Sequence, residues 1–317
     1  MSFFLGIDTS NYTTSASIYD NESGKMIMQK KLLPVKQGEC GLRQSDAVFH
    51  HVQQLPEIID RLFEGFDGEI TAVGVSSRPR DSEGSYMPCF TVGLSAARII
   101  SGINDVPLYT FSHQNGHIAA AIYSSQQKRL FKERFLAFHV SGGTTEAVIV
   151  TPDNEKIFNV FLAAKTLDLN AGQLIDRTGV MLGLSFPCGA ELEKLAFLNK
   201  EKLKNVRVSL KGSDCCLSGI ENKCRKAYED GASKEYTAAL CLAHIEKAID
   251  GMCTAVFEKH GKMPVLFAGG VMADMIIREK LSEKYESYFA EPAYSSDNAS
   301  GIAFLCSIEN EMQNPGK

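Results

Sequence analysis

The sequence of 317 residues lacks the features that mark a membrane or secreted protein. No apolar run reaches the ~18 residues of a transmembrane helix, and Met1-Ser2-Phe3-Phe4 lacks the basic start of a signal peptide. The nine cysteines are an odd number, contain no C-x-x-C pair, and include an adjacent Cys215-Cys216 that suits a disulfide framework poorly. We therefore expect a cytoplasmic protein with reduced thiols and no membrane partner.

The sequence also lacks an excess of positive charge. It has 33 basic and 38 acidic side chains, a formal net charge of −5, which argues against a general nucleic-acid binder. A local patch could still hold one RNA. One run of basic residues is either such an RNA-binding patch or a solvated helix end. Its members are Lys200, Lys202, Lys204, Arg207 and Lys211.

What the sequence does contain is an alternation of strand and helix signals along its whole length. This alternation predicts an α/β fold, and the length suggests two domains or two lobes. A hairpin pattern opens the chain at 3–9 and 15–19 and recurs at 135–140 and 145–150. Used twice, the pattern indicates two related lobes with a cleft between them.

The polar segment after residue 124 ends the first half. We therefore predict a first lobe over 1–125, completed by the C-terminal helix 297–317. The second lobe is predicted over 126–296, with helical insertions.

Three turns share a chemistry suited to a nucleotide. Two are hairpin tips, Asp8-Thr9-Ser10-Asn11 and Ser141-Gly142-Gly143-Thr144-Thr145, where glycine admits a phosphate close to the backbone and hydroxyls add donors. The third, Phe267-Ala268-Gly269-Gly270-Val271, ends a strand and opens a helix, which favours an anion or a close-packed nucleoside. Each alone is also an ordinary turn. Their order together is typical of the actin-like ATPase and sugar-kinase architecture.

A histidine pair lies on the helix predicted over 112–123, with Ser112 as its N-cap. His113 and His117 are four residues apart, so both imidazoles share one helix face and could bind one metal ion, or they are two surface histidines. Asp297 is the best candidate for a third ligand, although an N-cap aspartate has the same appearance. No Glu follows His113 directly as in the H-E-x-x-H motif, which argues against a metalloprotease.

These residues and several further motifs resemble the tRNA threonylcarbamoyltransferase family, long described as a glycoprotease. The most specific element is the His-x-x-x-His helix after Val106-Pro107. The resemblance runs from Gly6 to Asn298, and its other motifs are Val140-Ser141-Gly142-Gly143, Ala171-Gly172 through Asp176-Arg177-Thr178, Leu182-Gly183-Leu184, Leu217-Ser218-Gly219 and Ala268-Gly269-Gly270-Val271.

The resemblance implies an actin-like ATPase fold (sugar kinase, heat-shock chaperone, actin) that binds ATP or an adenylate in a central cleft. His113, His117 and Asp297 match the family's ligands for one iron or zinc ion. Asp176 matches a ribose-binding carboxylate, Gly172 and Gly189 match glycines against the nucleoside, and Asp274 stands where an Asn usually contacts adenine. The full set of nucleotide positions expected from the turns and the resemblance is Asp8, Ser10, Ser141, Gly142, Gly143, Thr144, Gly172, Asp176, Gly189, Gly269, Gly270 and Asp274.

The chain departs from the family pattern in places that bear on the acceptor. Ser10-Asn11-Tyr12-Thr13-Thr14 lacks the two acidic residues usual in the first hairpin, and Thr144 replaces a phosphate-side histidine. The segment from Arg78 to Tyr86 replaces a Gly-rich apolar one. Arg78 and Arg80 could hold an anionic substrate there, or the segment is a solvated turn.

Three functional hypotheses follow. The first is a metal-dependent carbamoyl-type transferase that uses ATP or an adenylate and has tRNA as acceptor. The second is a paralogue with an anionic or small-molecule acceptor. The third is a non-catalytic partner in a dimer with an active homologue, and a homodimer is also open.

Overall fold

The computed structural model describes residues 2–10, 12–34, 42–294 and 299–314. The chain divides into two compact units, Met1–Lys128 with Ala293–Lys317 (unit 1) and Arg129–Pro292 (unit 2). No helix in the described ranges is both long enough and apolar enough to cross a bilayer.

The described elements alternate between strand and helix, as the sequence predicts. The strands are β1 (Phe3–Asp8), β2 (Thr13–Asp20), β3 (Met26–Leu32), β4 (Ile70–Arg78), β5 (Leu108–Ser112), β6 (Phe135–Val140), β7 (Thr145–Asp153), β8 (Ile157–Lys165), β9 (Ser209–Lys211), β10 (Asp214–Cys216), β11 (Val265–Ala268) and β12 (Ser287–Phe289). The α-helices are α1 (Gln44–Phe63), α2 (Phe90–Asn104), α3 (His113–Ser124), α4 (Ala171–Met181), α5 (Gly189–Leu198), α6 (Ser218–Glu229), α7 (Lys234–His260), α8 (Met275–Ser282) and α9 (Ala299–Gln313).

Unit 1 is built on a five-stranded mixed sheet with the order β3-β2-β1-β4-β5. The first three strands pair antiparallel, and β4 and β5 add parallel to β1. Because side chains alternate along a strand, Leu5 and Ile7 pack on one face against Leu55 and Ile58 of α1. The opposite face of β1 lies against α9, where Gly6 faces Ala303.

Unit 2 repeats this arrangement. Its five-stranded sheet has the order β8-β7-β6-β11-β12, again with two antiparallel pairs followed by two parallel ones. The core of unit 2 includes the buried face of α7, with Leu242, Ile245 and Ile249 against Phe138 and Phe267 of the sheet. The internal repeat, weak in the sequence, is therefore explicit in the topology of the two sheets.

A backbone contact between α3 and α9 positions the helix that carries the histidine pair. A Cβ atom added to Gly301 would lie well inside van der Waals contact of the Gly116 carbonyl oxygen and 2.8 Å from the Ala120 nitrogen. Both obstacles are helix backbone, which cannot rotate away as a side chain can. The two helices therefore cross at a distance that only glycine at position 301 allows.

We predict that Gly301→Ala lowers the free energy of unfolding by about 2–4 kcal/mol, because it forces α9 away from α3. Denaturant unfolding measures this change. Gly102→Ala in α2 is the matched control, since nothing lies within 4 Å of its added Cβ and alanine favours helix. A Gly301→Ala protein as stable as the wild type would contradict this close crossing.

Candidate active site

The histidine pair lies at the start of α3, as predicted. Ser112 is the N-cap, and its hydroxyl accepts a hydrogen bond from the backbone N–H of Asn115 at 3.2 Å. One turn of helix brings His113 and His117 together, with 4.2 Å between ring centroids and 2.8 Å between their Nε2 atoms. The two imidazoles therefore direct the same nitrogen to one point.

This geometry fits a shared metal ion. With metal–nitrogen bonds of about 2.0–2.1 Å, two ligand nitrogens lie roughly 3.0–3.4 Å apart, so the observed 2.8 Å needs only a small opening. The third predicted ligand, Asp297, lies outside the described residues. Among the residues that the structure describes, no group of three His, Cys, Asp or Glu side chains could hold a metal ion.

Asp8 lies behind the histidine pair rather than at an open surface. Its side chain is 1% exposed. The Oδ2 atom lies 2.9 Å from Nδ1 of His113, and Oδ1 accepts a hydrogen bond from the hydroxyl of Ser76 at 2.6 Å. Strand β1 thus delivers a carboxylate to the base of α3, and both of its oxygens have partners in unit 1. The nucleotide contact predicted for Asp8 stays a prediction.

Burial of Asp8 by itself raises its pKa, but its neighbours reverse the effect. The charge and the hydrogen bond of His113, together with the hydrogen bond from Ser76, hold the pKa of Asp8 well below its ordinary value. Asp8 is therefore ionised at neutral pH, and it presents acceptors only.

The rest of the first turn is also buried. The Thr9 hydroxyl donates to the Cys89 carbonyl at 2.9 Å and accepts from the N–H of Gly93 at 3.1 Å. Ser10 is 3% exposed, and its side chain lies beside Asp8, where it helps to lower the pKa of that carboxyl. Asn11 lies outside the described residues. The turn is thus held against α2, and the nucleotide contact predicted for Ser10 stays a prediction.

The arginine segment after β4 is anchored to the histidine helix through Asp81. Arg78 makes an ion pair with Asp81, with 2.6 Å between Nη2 and Oδ1. The other oxygen of Asp81 accepts from the Ser112 hydroxyl at 3.1 Å and from the Asn115 amide at 2.8 Å. The N–H of Gln114 donates to the Pro79 carbonyl at 3.1 Å.

These contacts give Arg78 a structural partner within its own segment. Its guanidinium also donates to the Ser77 hydroxyl at 2.9 Å, so most of its donors are directed inward. The backbone N–H of Arg80 donates to the Ser85 hydroxyl at 3.0 Å. Binding of an anionic substrate by Arg78 and Arg80 stays a prediction, and at Arg78 it would compete with Asp81.

The second predicted nucleotide turn lies between β6 and β7 of unit 2. Gly142 and Gly143 are exposed, whereas Ser141 and Thr144 are half-buried. The Ser141 hydroxyl accepts from the N–H groups of Gly143 and Thr144 at 3.3 and 3.1 Å. In this structure the turn therefore satisfies two of its amides internally, and a bound anion would have to compete with that hydroxyl.

Gly172 and Gly269 pack against the two sides of this turn. A Cβ on Gly172 would lie 2.5 Å from the Gly142 nitrogen, and the N–H of Gly172 donates to the Ser141 carbonyl at 3.0 Å. Gly269 has a φ of 100°, a conformation that residues with a side chain rarely adopt, and a Cβ there would collide with the backbone of Val140. Both effects disfavour any other residue at this position. Gly270 has open space around it.

Asp176 lies one helical turn beyond Gly172 on α4. Its Oδ1 accepts from the N–H of Cys188 at 2.9 Å, which fixes the carboxylate beside the start of α5, where Gly189 has open space. Asp176 also lines a cavity of about 550 Å³, a size typical of ligand pockets. The other cavity residues include the apolar Met181 and Phe186.

Asp274 is the N-cap of α8, and its Oδ1 accepts from the N–H of Ile277 at 3.0 Å. The residue is 8% exposed. Burial raises the pKa of Asp274 to about 6, and the nearby charge of Glu193 acts in the same direction. Glu193 of α5 accepts from the N–H of Met275 at 2.6 Å, so the two acids meet at the start of one helix.

The predicted positions thus form two groups, one in each unit. Unit 1 joins Asp8 to the histidine pair, and unit 2 joins the second turn to Gly172 and Gly269. Sequence reasoning assigned no role to three residues that support the unit 1 group, namely Ser76, Asp81 and Asn115. Asn115 stands inside the His-x-x-x-His motif and could have been noticed, whereas no local pattern marks Ser76.

We predict that Asp274→Asn stabilises the protein at pH 7, because asparagine also caps a helix and has no charge to bury. The raised pKa means that the folded state holds a proton between pH 3.8 and about 6 that the unfolded chain has released. As the pH rises through this window, the free energy of unfolding of the wild type should therefore fall relative to that of the variant. The fall should not exceed about 3 kcal/mol. Denaturant unfolding of both proteins from pH 4 to 8 measures the difference, and a constant difference would contradict the prediction.

Comparison with known proteins places the chain in a family. The family model of the tRNA N6-adenosine threonylcarbamoyltransferase TsaD matches residues 31–304. A tRNA N6-adenosine threonylcarbamoyltransferase of Methanopyrus kandleri is 25% identical over 92% of this chain and 83% of its own. A "Probable bifunctional tRNA threonylcarbamoyladenosine biosynthesis protein" of Thermoplasma acidophilum is 28% identical over 94% of this chain, which spans 54% of that protein.

Solved structures show the fold. Full-length HypF in a phosphate- and nucleotide-bound form is 14% identical, with a TM-score of 0.59 over 98% of this chain and 56% of that one. A ROK hexokinase of Thermus thermophilus is 15% identical, with a TM-score of 0.51 over 98% and 99% of the two chains. The predicted actin-like ATPase fold is thereby confirmed. With most of its length matched by one family model, the chain belongs to the tRNA N6-adenosine threonylcarbamoyltransferase (TsaD) family.

Proposed function

We propose that the chain is a metal-dependent transferase that moves a threonylcarbamoyl group from an adenylate to tRNA. The acceptor is N6 of the adenosine next to the anticodon in tRNAs that read A-starting codons, and the reaction is cytoplasmic. One observation carries the proposal: within a chain of this family, His113 and His117 direct their Nε2 atoms to one point, 2.8 Å apart.

The proposed cofactor is one divalent iron or zinc ion held by His113, His117 and Asp297. A bound ion of this kind supplies a Lewis acid that polarises the carbamoyl oxygen. The protein's own part is to hold the two rings in place. The Asp81 contacts anchor the first turn of α3, and the close crossing at Gly301 anchors its second turn.

Unit 2 would supply the contacts to ATP or the adenylate. The exposed backbone of Gly142 and Gly143 suits phosphate oxygens, with the hydroxyls of Ser141 and Thr144 as further donors. The free side of the Asp176 carboxylate suits a ribose diol, because Cys188 engages only Oδ1. Asp274, where protonated, could donate to a ring nitrogen of adenine, and where ionised it could accept from the amino group.

A different acceptor is the second candidate, and the first hairpin favours it. Tyr12 and Thr13 stand where the family usually has acidic residues, and their hydroxyls carry no negative charge. The Arg78–Asp81 ion pair argues in the other direction, since it occupies the guanidinium proposed for an anionic acceptor. A non-catalytic role in a dimer with a homologue has less support, because the histidine pair keeps its geometry.

The decisive experiment measures transfer from threonylcarbamoyl-adenylate to transcribed tRNA by the full chain loaded with iron or zinc. His117→Ala should lose the metal and lower transfer more than about 100-fold, since even residues that only support a metal ligand cost 10–100-fold. His50→Ala serves as the control histidine, since His50 lies in α1 and is not part of the histidine pair. Full metal occupancy without transfer to any tRNA would favour the second candidate, and transfer by metal-free protein would overturn the metal's role.

We also predict that Gly172→Ala weakens ATP or adenylate binding at least about tenfold, because its Cβ would displace the turn at Gly142. Gly219→Ala, with nothing within 4 Å of the added Cβ, is the control. Isothermal titration with ATP measures both. Unchanged ATP affinity in a folded Gly172→Ala protein would exclude the Ser141–Thr144 turn from the nucleotide site.

A further inference from the structure

A continuous series of hydrogen bonds runs through the interior of unit 1 to the histidine pair. The Ser76 hydroxyl donates to Asp8 Oδ1 at 2.6 Å, Asp8 Oδ2 lies 2.9 Å from His113 Nδ1, and His113 Nε2 lies 2.8 Å from His117 Nε2. The groups come from β4, β1 and α3, so three elements meet at one carboxylate.

The chemistry of these groups determines where the proton of His113 lies. Asp8 accepts the Ser76 hydroxyl at Oδ1, and its Oδ2 lies at hydrogen-bond distance from Nδ1 of His113, so the carboxylate oxygen accepts there and Nδ1 donates. An imidazole that binds a metal ion is neutral and carries one N–H, so with that proton on Nδ1 it presents the lone pair of Nε2 to the metal. In the metal-free protein the two Nε2 atoms lie 2.8 Å apart, so one proton lies between the rings.

We propose that Asp8 is a positioning residue that holds His113 as the Nδ1–H tautomer and thereby keeps its Nε2 lone pair available to a metal ion. This inference rests on the metal site of the proposed function. It gives Asp8 a task distinct from the predicted contact with a nucleotide. A carboxylate behind a metal-binding histidine both fixes the ring and makes the ligand nitrogen more basic.

The surroundings show that Asp8 acts on the ring and does not merely fill space. The Ser76 hydroxyl restrains one oxygen of the carboxylate, so the other is held toward His113. The His113 side chain is 20% exposed against 1% for Asp8, so the ring reaches outward while its Nδ1 edge stays inside. Both Nε2 atoms would hold a metal ion only once the proton between them has left, and the Nδ1 proton of His113 would stay on its hydrogen bond to Asp8.

The test measures Zn²⁺ affinity of the metal-free full chain in competition with a chromophoric chelator. Asp8→Asn should weaken Zn²⁺ binding by about 10–100-fold, because the charge is lost and the amide can present a donor to Nδ1. Ser76→Ala keeps the carboxylate and should have a smaller effect, about fivefold or less. Ser307→Ala is the matched control: this buried hydroxyl of α9 donates only to the Phe304 carbonyl within its own helix, so its loss should leave Zn²⁺ affinity unchanged.

A second readout needs no variant of Asp8 to fold. In the metal-free wild type, long-range ¹H–¹⁵N spectra of the imidazoles, with His113 assigned from His113→Gln, should show a proton on Nδ1 of His113. A proton on Nε2 instead, or wild-type Zn²⁺ affinity in a folded Asp8→Asn protein, would overturn the inference. Neither measurement uses tRNA or an adenylate, so failure of the transfer reaction would leave this result intact, and the reverse also holds.

Discussion

Contacts between backbones that leave no room for a side chain determine where the chemical groups of both units lie. In unit 1, Gly301 of α9 meets the Gly116 carbonyl within the histidine helix, so the position of the pair depends on a contact that alanine would break. In unit 2, Gly172 meets Gly142 and thereby places α4, with Asp176, beside the second hairpin turn. Hydrogen bonds then fix the orientation of side chains that these backbone contacts have already brought close together. They cannot replace the contacts, because a hydrogen bond forms only within a narrow range of distance.

Much of the fold could be predicted because local signals were strong. The hairpins, the helix that begins after Ser112 and the long buried α7 all have clear periodicity or a clear cap. Helix α6 is not predicted from the sequence, because most of its residues are polar and only Ile220 and Cys224 are buried along it. The short strand β12 was missed for a similar reason, since three residues are too few for an alternation to be visible.

The histidine pair could be predicted from spacing alone, but its environment could not. Asp8 and His113 are 105 positions apart in the sequence, and they meet because β1 pairs parallel with β4 and β4 pairs parallel with β5, which leads into α3. The role of Asp81 was equally hidden, because a charged turn has the same composition whether its carboxylate faces solvent or anchors a helix. The sequence drew attention to the arginines of that segment, whereas the structure shows that their acidic neighbour makes the contacts with α3.

The two sheets have the same strand order, so the turn after β1 and the turn after β6 occupy equivalent places in their units. They have nevertheless become different surfaces: Ser10 is sealed inside unit 1, whereas Gly142 and Gly143 are open to solvent. If the two units descend from one duplicated ancestor, the two copies of its first hairpin turn now have different roles. One has become the interior support of the helix that carries the histidine pair, and the other has kept an accessible backbone. Substitutions in the first hairpin would then be constrained by packing and those in the second by ligand, so the two copies should tolerate different amino acids at matching positions.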